Sequence, residues 1–369
     1  MKMTLFTTYP AIASFLIAVR LRSLRLSALI IATLLLLIDF GSAAESKPAE
    51  PLKLRLGLGS APAPALPNSV LWLAKDLGFY KREGLDVELT EFQGTPLVIA
   101  AMIAGEVDVG NVSTSDVIRM VATKSQPMRA IHSPDARLYF LVAARDEIKS
   151  VGALQGKTFA ISRINSVDHS LSMLALKALG VNPATITFVA IGVPSTRAQA
   201  LVAGRVDATT LSLGTWVTIQ REPGVRVLVD SETYFDRATV VEKVNAVTSK
   251  VLQEKPEHLR RFTAAILKAS RAFAENQESW VDAMAKRRPD VDRKEAVNLW
   301  AGFKTAWAVN GLMNLEAYRK SADFFYQAGM LEKVPKIEVA EWAETRFADQ
   351  VLKEIGVYNK FDAPGRTLR

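Results

Sequence analysis

The chain contains no cysteine, so a disulfide framework, a thiolate metal site, a haem thioether and a cysteine nucleophile are all excluded. Histidine is nearly as scarce. His132, His169 and His258 lack the spacing of a two-histidine zinc helix and leave little material for a histidine-based triad. No block of like charge stands out either. The 46 basic and 38 acidic residues give a net +8, but the basic groups are scattered, which argues against a nucleic-acid partner. The dinucleotide-binding fingerprint is missing, and Gly152-Ala153-Leu154-Gln155-Gly156-Lys157-Thr158 is only a superficial phosphate loop. It has three residues between its glycines where the nucleotide motif needs four, and it precedes a strand instead of following one. Catalytic chemistry has no assembled candidate, so the chain is not expected to be an enzyme or to hold a metal or cofactor.

What is present is apolar substance. With 369 residues, 49% of them hydrophobic and 23% charged, the chain can bury a large core divided between two domains. Its apolar run at 28–38 is too short to span a bilayer comfortably. Arg20, Arg22 and Arg25 precede that run and Gly41-Ser42-Ala43-Ala44 follows it, which is the pattern of a secretory signal peptide over 1–44. Beyond it the chain carries 42 basic against 37 acidic groups, an ordinary solvated surface. No cysteine is available for lipid attachment, so the expectation is a soluble, monomeric, periplasmic protein with a polar linker at 45–51.

Strand and helix signals then alternate. Residues 53–58 alternate polar and apolar, 69–77 have helical spacing that stops at Gly78, and 86–90 read as a strand. Gly94-Thr95-Pro96 opens a helix, with Thr95 as N-cap and Pro96 at the first helical position, and Gly105 stops it. A short strand at 107–110 leads to a helix capped by Ser113 or Ser115. Strands at 157–161 and 186–191 and helices at 170–179 and 196–203 repeat the scheme. Residues 101–108 (AMIAGEVD) are echoed by 200–207 (ALVAGRVD), with Ser113 and Ser212 at the same offset. This order predicts α/β layers on mainly parallel sheets in two similar lobes. After Asn245 the chain becomes nearly continuous helix, and Leu259, Phe262, Ile266, Ala269 and Phe273 mark a core-facing stripe.

The segment Leu77-Gly78-Phe79-Tyr80-Lys81-Arg82-Glu83-Gly84-Leu85-Asp86-Val87 resembles an early landmark of the nitrate/sulfonate/taurine-type periplasmic substrate-binding proteins, the thiamine-precursor-synthase-like family. The runs at 104–110 (AGEVDVG) and 154–161 (LQGKTFAI) are similar to its next two landmarks, and the match extends from about 52 to about 328. The resemblance implies a type II periplasmic-binding-protein fold: two α/β lobes, a hinge of two crossovers, and a ligand cleft between them. On that basis lobe 1 is expected at 52–144 and 229–369, with the helical C-terminal region packed on it, and lobe 2 at 145–228. It also implies a small anionic ligand, a sulfonate, taurine, nitrate or an organic acid, handed to the permease of an ABC importer. A pyrimidine-precursor binding protein or enzyme related to thiamine synthesis is the alternative within the family. Its enzyme branch depends on a cysteine-rich iron motif, which this chain cannot supply.

Helix N-termini hold anions through unpaired N–H groups and a partial positive charge. The candidate ligand contacts are therefore Ser60, Thr95, Asn111, Ser113, Thr114 and Ser115 in the first lobe, and Ser162, Arg163, Ser166 and Ser212 in the second. Arg163 offers a bidentate fork for a carboxylate or sulfonate. His132, just after a strand at 128–131, is placed either on the cleft or in the core.

Overall fold

A computed structural model of the chain describes residues 50–359 apart from 61, 137, 138, 238, 239, 304 and 313. The expected export segment, its cleavage site and most of the linker lie outside the described residues.

The first lobe begins with β1 (Leu52–Leu58), whose alternate leucines 54, 56 and 58 are buried. Helices α1 (Val70–Asp76) and α2 (Phe79–Arg82) lead to β2 (Leu85–Glu91), α3 (Thr95–Ile103) to β3 (Val109–Ser113), and α4 (Thr114–Ala122) to β4 (Met128–His132). Helix α3 lies so close to β3 that a Cβ at Gly110 would meet the Val98 side chain at 2.8 Å, which explains a glycine in this buried strand. The second lobe contains β5 (Phe140–Arg145), β6 (Thr158–Ile161), α5 (Val167–Ala178), β7 (Thr187–Ala190), α6 (Pro194–Val202), β8 (Ala208–Ser212), α7 (Leu213–Trp216), β9 (Val225–Val229) and α8 (Ser231–Arg237). The chain then returns to the first sheet as β10 (Lys243–Thr248).

The two sheets follow one plan. Their orders are β2-β1-β3-β10-β4 and β7-β6-β8-β5-β9. In each, one strand delivered from the other lobe, β10 or β5, runs antiparallel to both neighbours. The sequence echo has a matching structural role. Asp108 accepts the Arg55 N–H at 2.9 Å and Asp207 accepts the Thr158 N–H at 2.8 Å, so each aspartate ties the entrance of its strand to the parallel neighbour.

The passage between lobes falls after β4 and again before β10. Phe140–Arg145 and Ser231–Arg237, which the sequence pattern places in or at the edge of the first lobe, sit with the second: β5 pairs with β8 and β9, and α8 packs on β5 and α5. The residues of β5 are simply apolar, and nothing local in them states which sheet they join.

The C-terminal helices α9 (Ser249–Glu254), α10 (Pro256–Glu275), α11 (Gln277–Arg287), α12 (Arg293–Phe303), α13 (Leu315–Gln327) and α14 (Arg346–Ile355) cover the first lobe. All five residues of the α10 stripe are buried. Trp280, Phe303 and Trp307 interlock edge to face beside it. The edge of β4 is closed by the tail, since Ala130 donates to Trp342 at 2.7 Å and accepts from Glu344 at 2.8 Å.

Candidate functional site

Loops at the carboxyl ends of the parallel strands face one another across a cavity of about 330 Å³. That is where open α/β sheets bind ligands, because helix starts and irregular backbone converge there. The first lobe contributes Gly59 and Ser60 after β1, Gln93 to Pro96 after β2, and Ser113 at the end of β3. From the second come Ser162, Arg163, Ser166 and Asp168 after β6, Gly192 to Pro194 after β7, and Ser212. The crossovers supply Asp135, Tyr139, Glu242 and Lys243.

Ser113, the N-cap of α4, makes no side-chain cap bond, and two further helix starts that line this space, one from each lobe, have no polar side chain at the cap position. At α3 the N-cap is Gly94, at φ 100° and ψ 163°, a conformation open to glycine alone. Thr95 is therefore one residue inside the helix and does not cap it; its hydroxyl instead accepts the Ser113 N–H at 3.3 Å and the Lys243 ammonium at 3.1 Å. At α6 the N-cap is Val193, followed by Pro194. Neither side chain satisfies the first-turn N–H groups, so both helix ends keep donors and partial positive charge for a ligand. By contrast α5 is capped by Ser166, whose hydroxyl accepts from His169 N at 3.4 Å.

The charged groups are mostly paired. Asp168 receives the Ser162 N–H at 2.8 Å, the Ser162 hydroxyl at 2.6 Å and the Ser166 hydroxyl at 2.7 Å, with Arg197 at 3.6 Å. Burial pushes this carboxylate up, but Arg197 and the two serines outweigh it and hold it below its usual range. The carboxylate therefore stays ionised, and the adjacent Arg197 guanidinium offsets its negative charge at the cleft. Arg197 also donates to the Gly192 and Thr210 carbonyls, while its buried Nε has no partner among the described residues. Arg163 reaches across the cleft and donates to Asp116 at 3.0 Å.

Ser60, Thr95, Ser113, Ser162, Arg163, Ser166 and Ser212 thus line the cavity, as placed from sequence. Asn111, Thr114, Ser115 and His132 do not. They are buried behind the wall: Thr114 gives its N–H to the Glu242 carbonyl, Ser115 turns inward on α4, and Asn111 and His132 belong to a buried polar chain. Burial drives the His132 pKa down to about 3, so the ring is neutral. Sequence reasoning misses Asn68, Arg197, Gly192 to Pro194 and the crossover charges. The second helix start could have been found, since Gly192-Val193-Pro194 follows β7 as Gly94-Thr95-Pro96 follows β2. Asp135, Glu242 and Lys243 give no local signal, because only the two passages of the chain between the lobes bring them to the cleft.

A family model described as NMT1/THI5 like matches residues 68–279, more than half of the chain. The chain belongs to the NMT1/THI5 like family. A relative from Bacillus subtilis (strain 168), named for aliphatic sulfonates binding, is 25% identical over 343 residues, covering 88% of this chain and 96% of its own. The taurine-binding periplasmic protein of Escherichia coli (strain K12) is 24% identical over 208 residues, 56% of this chain and 63% of its own. Among solved structures, the alkanesulfonate-binding protein SsuA from Xanthomonas axonopodis pv. citri superposes with a TM-score of 0.65 at 18% identity, over 81% of this chain and 100% of that one. The periplasmic nitrate-binding protein NrtA from Synechocystis PCC 6803 gives 0.66 at 12%, over 84% and 90%. These likenesses establish the periplasmic-binding-protein fold.

Proposed function

We propose that the protein is the extracytoplasmic solute-binding component of an ATP-driven importer, which captures a small acid between its lobes and delivers it to a membrane permease. The observation that carries this reading is the pair of uncapped helix starts, α3 from one lobe and α6 from the other, lining one cavity. Two such ends hold an anionic group without a dedicated basic pocket. Names of the relatives support the ligand class, and the family supports a binding role over catalysis. Release of an export segment near Ala44 into the periplasm, and action as a monomer, belong to the same proposal.

A thermal-shift screen of the mature protein across sulfonates, carboxylates and nitrate, followed by calorimetry, tests it. At least one small acid should bind with a stoichiometry of about one and raise the melting temperature, because ligand that binds only the folded state stabilises it by mass action. No binding by any member up to millimolar concentration would contradict the reading.

A further inference from the structure

Gly214, the second residue of α7, does not need glycine for its conformation, because its φ lies outside the left-handed region. Within a helix glycine is less stable than alanine. Space accounts for its presence. A Cβ at Gly214 would stand 2.8 Å from the Ala65 carbonyl oxygen, 3.0 Å from the carbonyl carbon and 3.1 Å from the amide nitrogen, where ordinary contact starts at 3.4 Å. Ala65 lies between β1 and α1, wholly buried in the core of the first lobe, whereas α7 packs on β5, β8 and α6 of the second. The contact therefore crosses between the lobes. Among the described glycines, Gly214 alone would bring a Cβ within 3.0 Å of a backbone atom; the other approaches that close, at Gly57, Gly84, Gly110 and Gly204, are to side chains.

The segment facing Gly214 cannot give way easily. Pro62, Pro64 and Pro67 restrict its backbone, and the buried Arg288 fastens it by donating to the Ala63 carbonyl at 2.6 Å. The ion pairs between the lobes are softer, since Gln220 and Arg221 reach Glu295 and Asp292 through long side chains that can follow a small shift. The Gly214 contact also sits at the edge of the ligand cavity. Pro64 and Leu66, on either side of Ala65, line that cavity from the first lobe, and Ser212, two residues before Gly214, lines it from the second. A retreat at Gly214 therefore moves the two walls apart, because a close-packed interior transmits such a shift instead of absorbing it.

We propose that the bare Cα of Gly214 against the Ala65 backbone is the stop that sets how far the lobes close, and so fixes the size of acid that the cavity grips. The inference rests on the solute-binding reading above and adds the residue that determines ligand size. Calorimetry on wild type and Gly214→Ala tests it, with nitrate, straight-chain alkanesulfonates from methanesulfonate to hexanesulfonate, carboxylates from acetate to heptanoate, and any further binder from the screen above. Melting temperatures of both ligand-free proteins accompany it. Ligand-free Gly214→Ala should melt at or above wild type, because alanine favours the helix and lobes without ligand are free to part at this contact. The smallest acid that wild type binds should bind the variant about 10- to 100-fold more weakly, the scale of overpacking a tight contact. That loss should shrink as the acid lengthens, so that the preferred length moves upward; where wild type binds one acid alone, the loss should appear for that acid with the melting temperature kept. Unchanged affinities, an equal loss at every length, or a ligand-free melting temperature that falls together with affinity would make Gly214 a packing residue. Each of these would overturn the inference and leave the solute-binding reading standing. If wild type binds no acid of any kind, both readings fall.

Discussion

His132 and Asp135 lie three residues apart, and burial moves them in opposite directions. The imidazole is pushed from 6.5 down to about 3, and the carboxyl from 3.8 up to about 7, by burial first and then by the charge of Glu242. Each shift is a stability statement. For His132 the unfolded chain takes up a proton that the folded protein refuses, so stability is lost as the pH falls from about 6.5 toward 3. For Asp135 the folded state holds a proton that the unfolded chain releases, so stability is present below about 3.8 and is lost as the pH rises toward about 7. The charged groups acting on Asp135 are Glu242 and Lys243 from the second crossover, and Tyr318 on α13 faces it as well. Melting temperatures measured from pH 4 to pH 8 should separate the two: His132→Gln should flatten the acid-side fall, and Asp135→Asn the fall toward pH 7. Unchanged pH slopes in both variants would mean that neither group carries the linkage.

At the scale of elements, the strand and helix order of each lobe was legible in the sequence because its signals are local. The leucine alternation of β1, the glycines after α3 and α6 and the α10 stripe each state their own structure within a few residues. The Val-Asp echo was legible too, and its use is now specific: Asp108 and Asp207 fasten strand entrances. What stayed hidden depends on distant pairing. β5 gives no sign that it will insert between β8 and β9, nor β10 that it will separate β3 from β4. The cleft residues follow the same division. Serines at helix starts were found by their position, although hydroxyl-rich starts such as Thr114 and Ser115 proved to face inward. At α3 the sequence points to the Gly94-Thr95 wall but to Thr95 as the cap in place of Gly94, and a search for polar caps passes over Val193 at the start of α6. It is the lack of a cap that frees these N–H groups for a ligand.

Over the described residues, the lobes are joined by two crossovers and also by ion pairs at two places. Arg163 meets Asp116 at 3.0 Å, and Arg221 meets Asp292 and Glu295 at 2.9 Å each, with Gln220 on Glu295 at 2.7 Å. All four contacts link the second lobe to the first, so they form only when the lobes are close together. Ligand and ion pairs should therefore favour the same closed arrangement. Arg163→Ala then removes a partly exposed pair and should weaken ligand binding by only about 0–1 kcal/mol, with a smaller effect in high salt. A loss of about 1.5–3 kcal/mol that persists in salt would instead mark Arg163 as a direct contact to the ligand's acid group. Calorimetry at low and high ionic strength distinguishes the two outcomes.

The central claim is that one small acid is held by both lobes at once. A crystal structure of the protein with the tightest-binding acid from the screen tests this most directly. The acid group should lie within hydrogen-bond distance of backbone N–H groups at the start of α3 and at the start of α6, inside the cavity lined by Ser113 and Ser162. A ligand bound to one lobe alone, or outside this cavity, would contradict it.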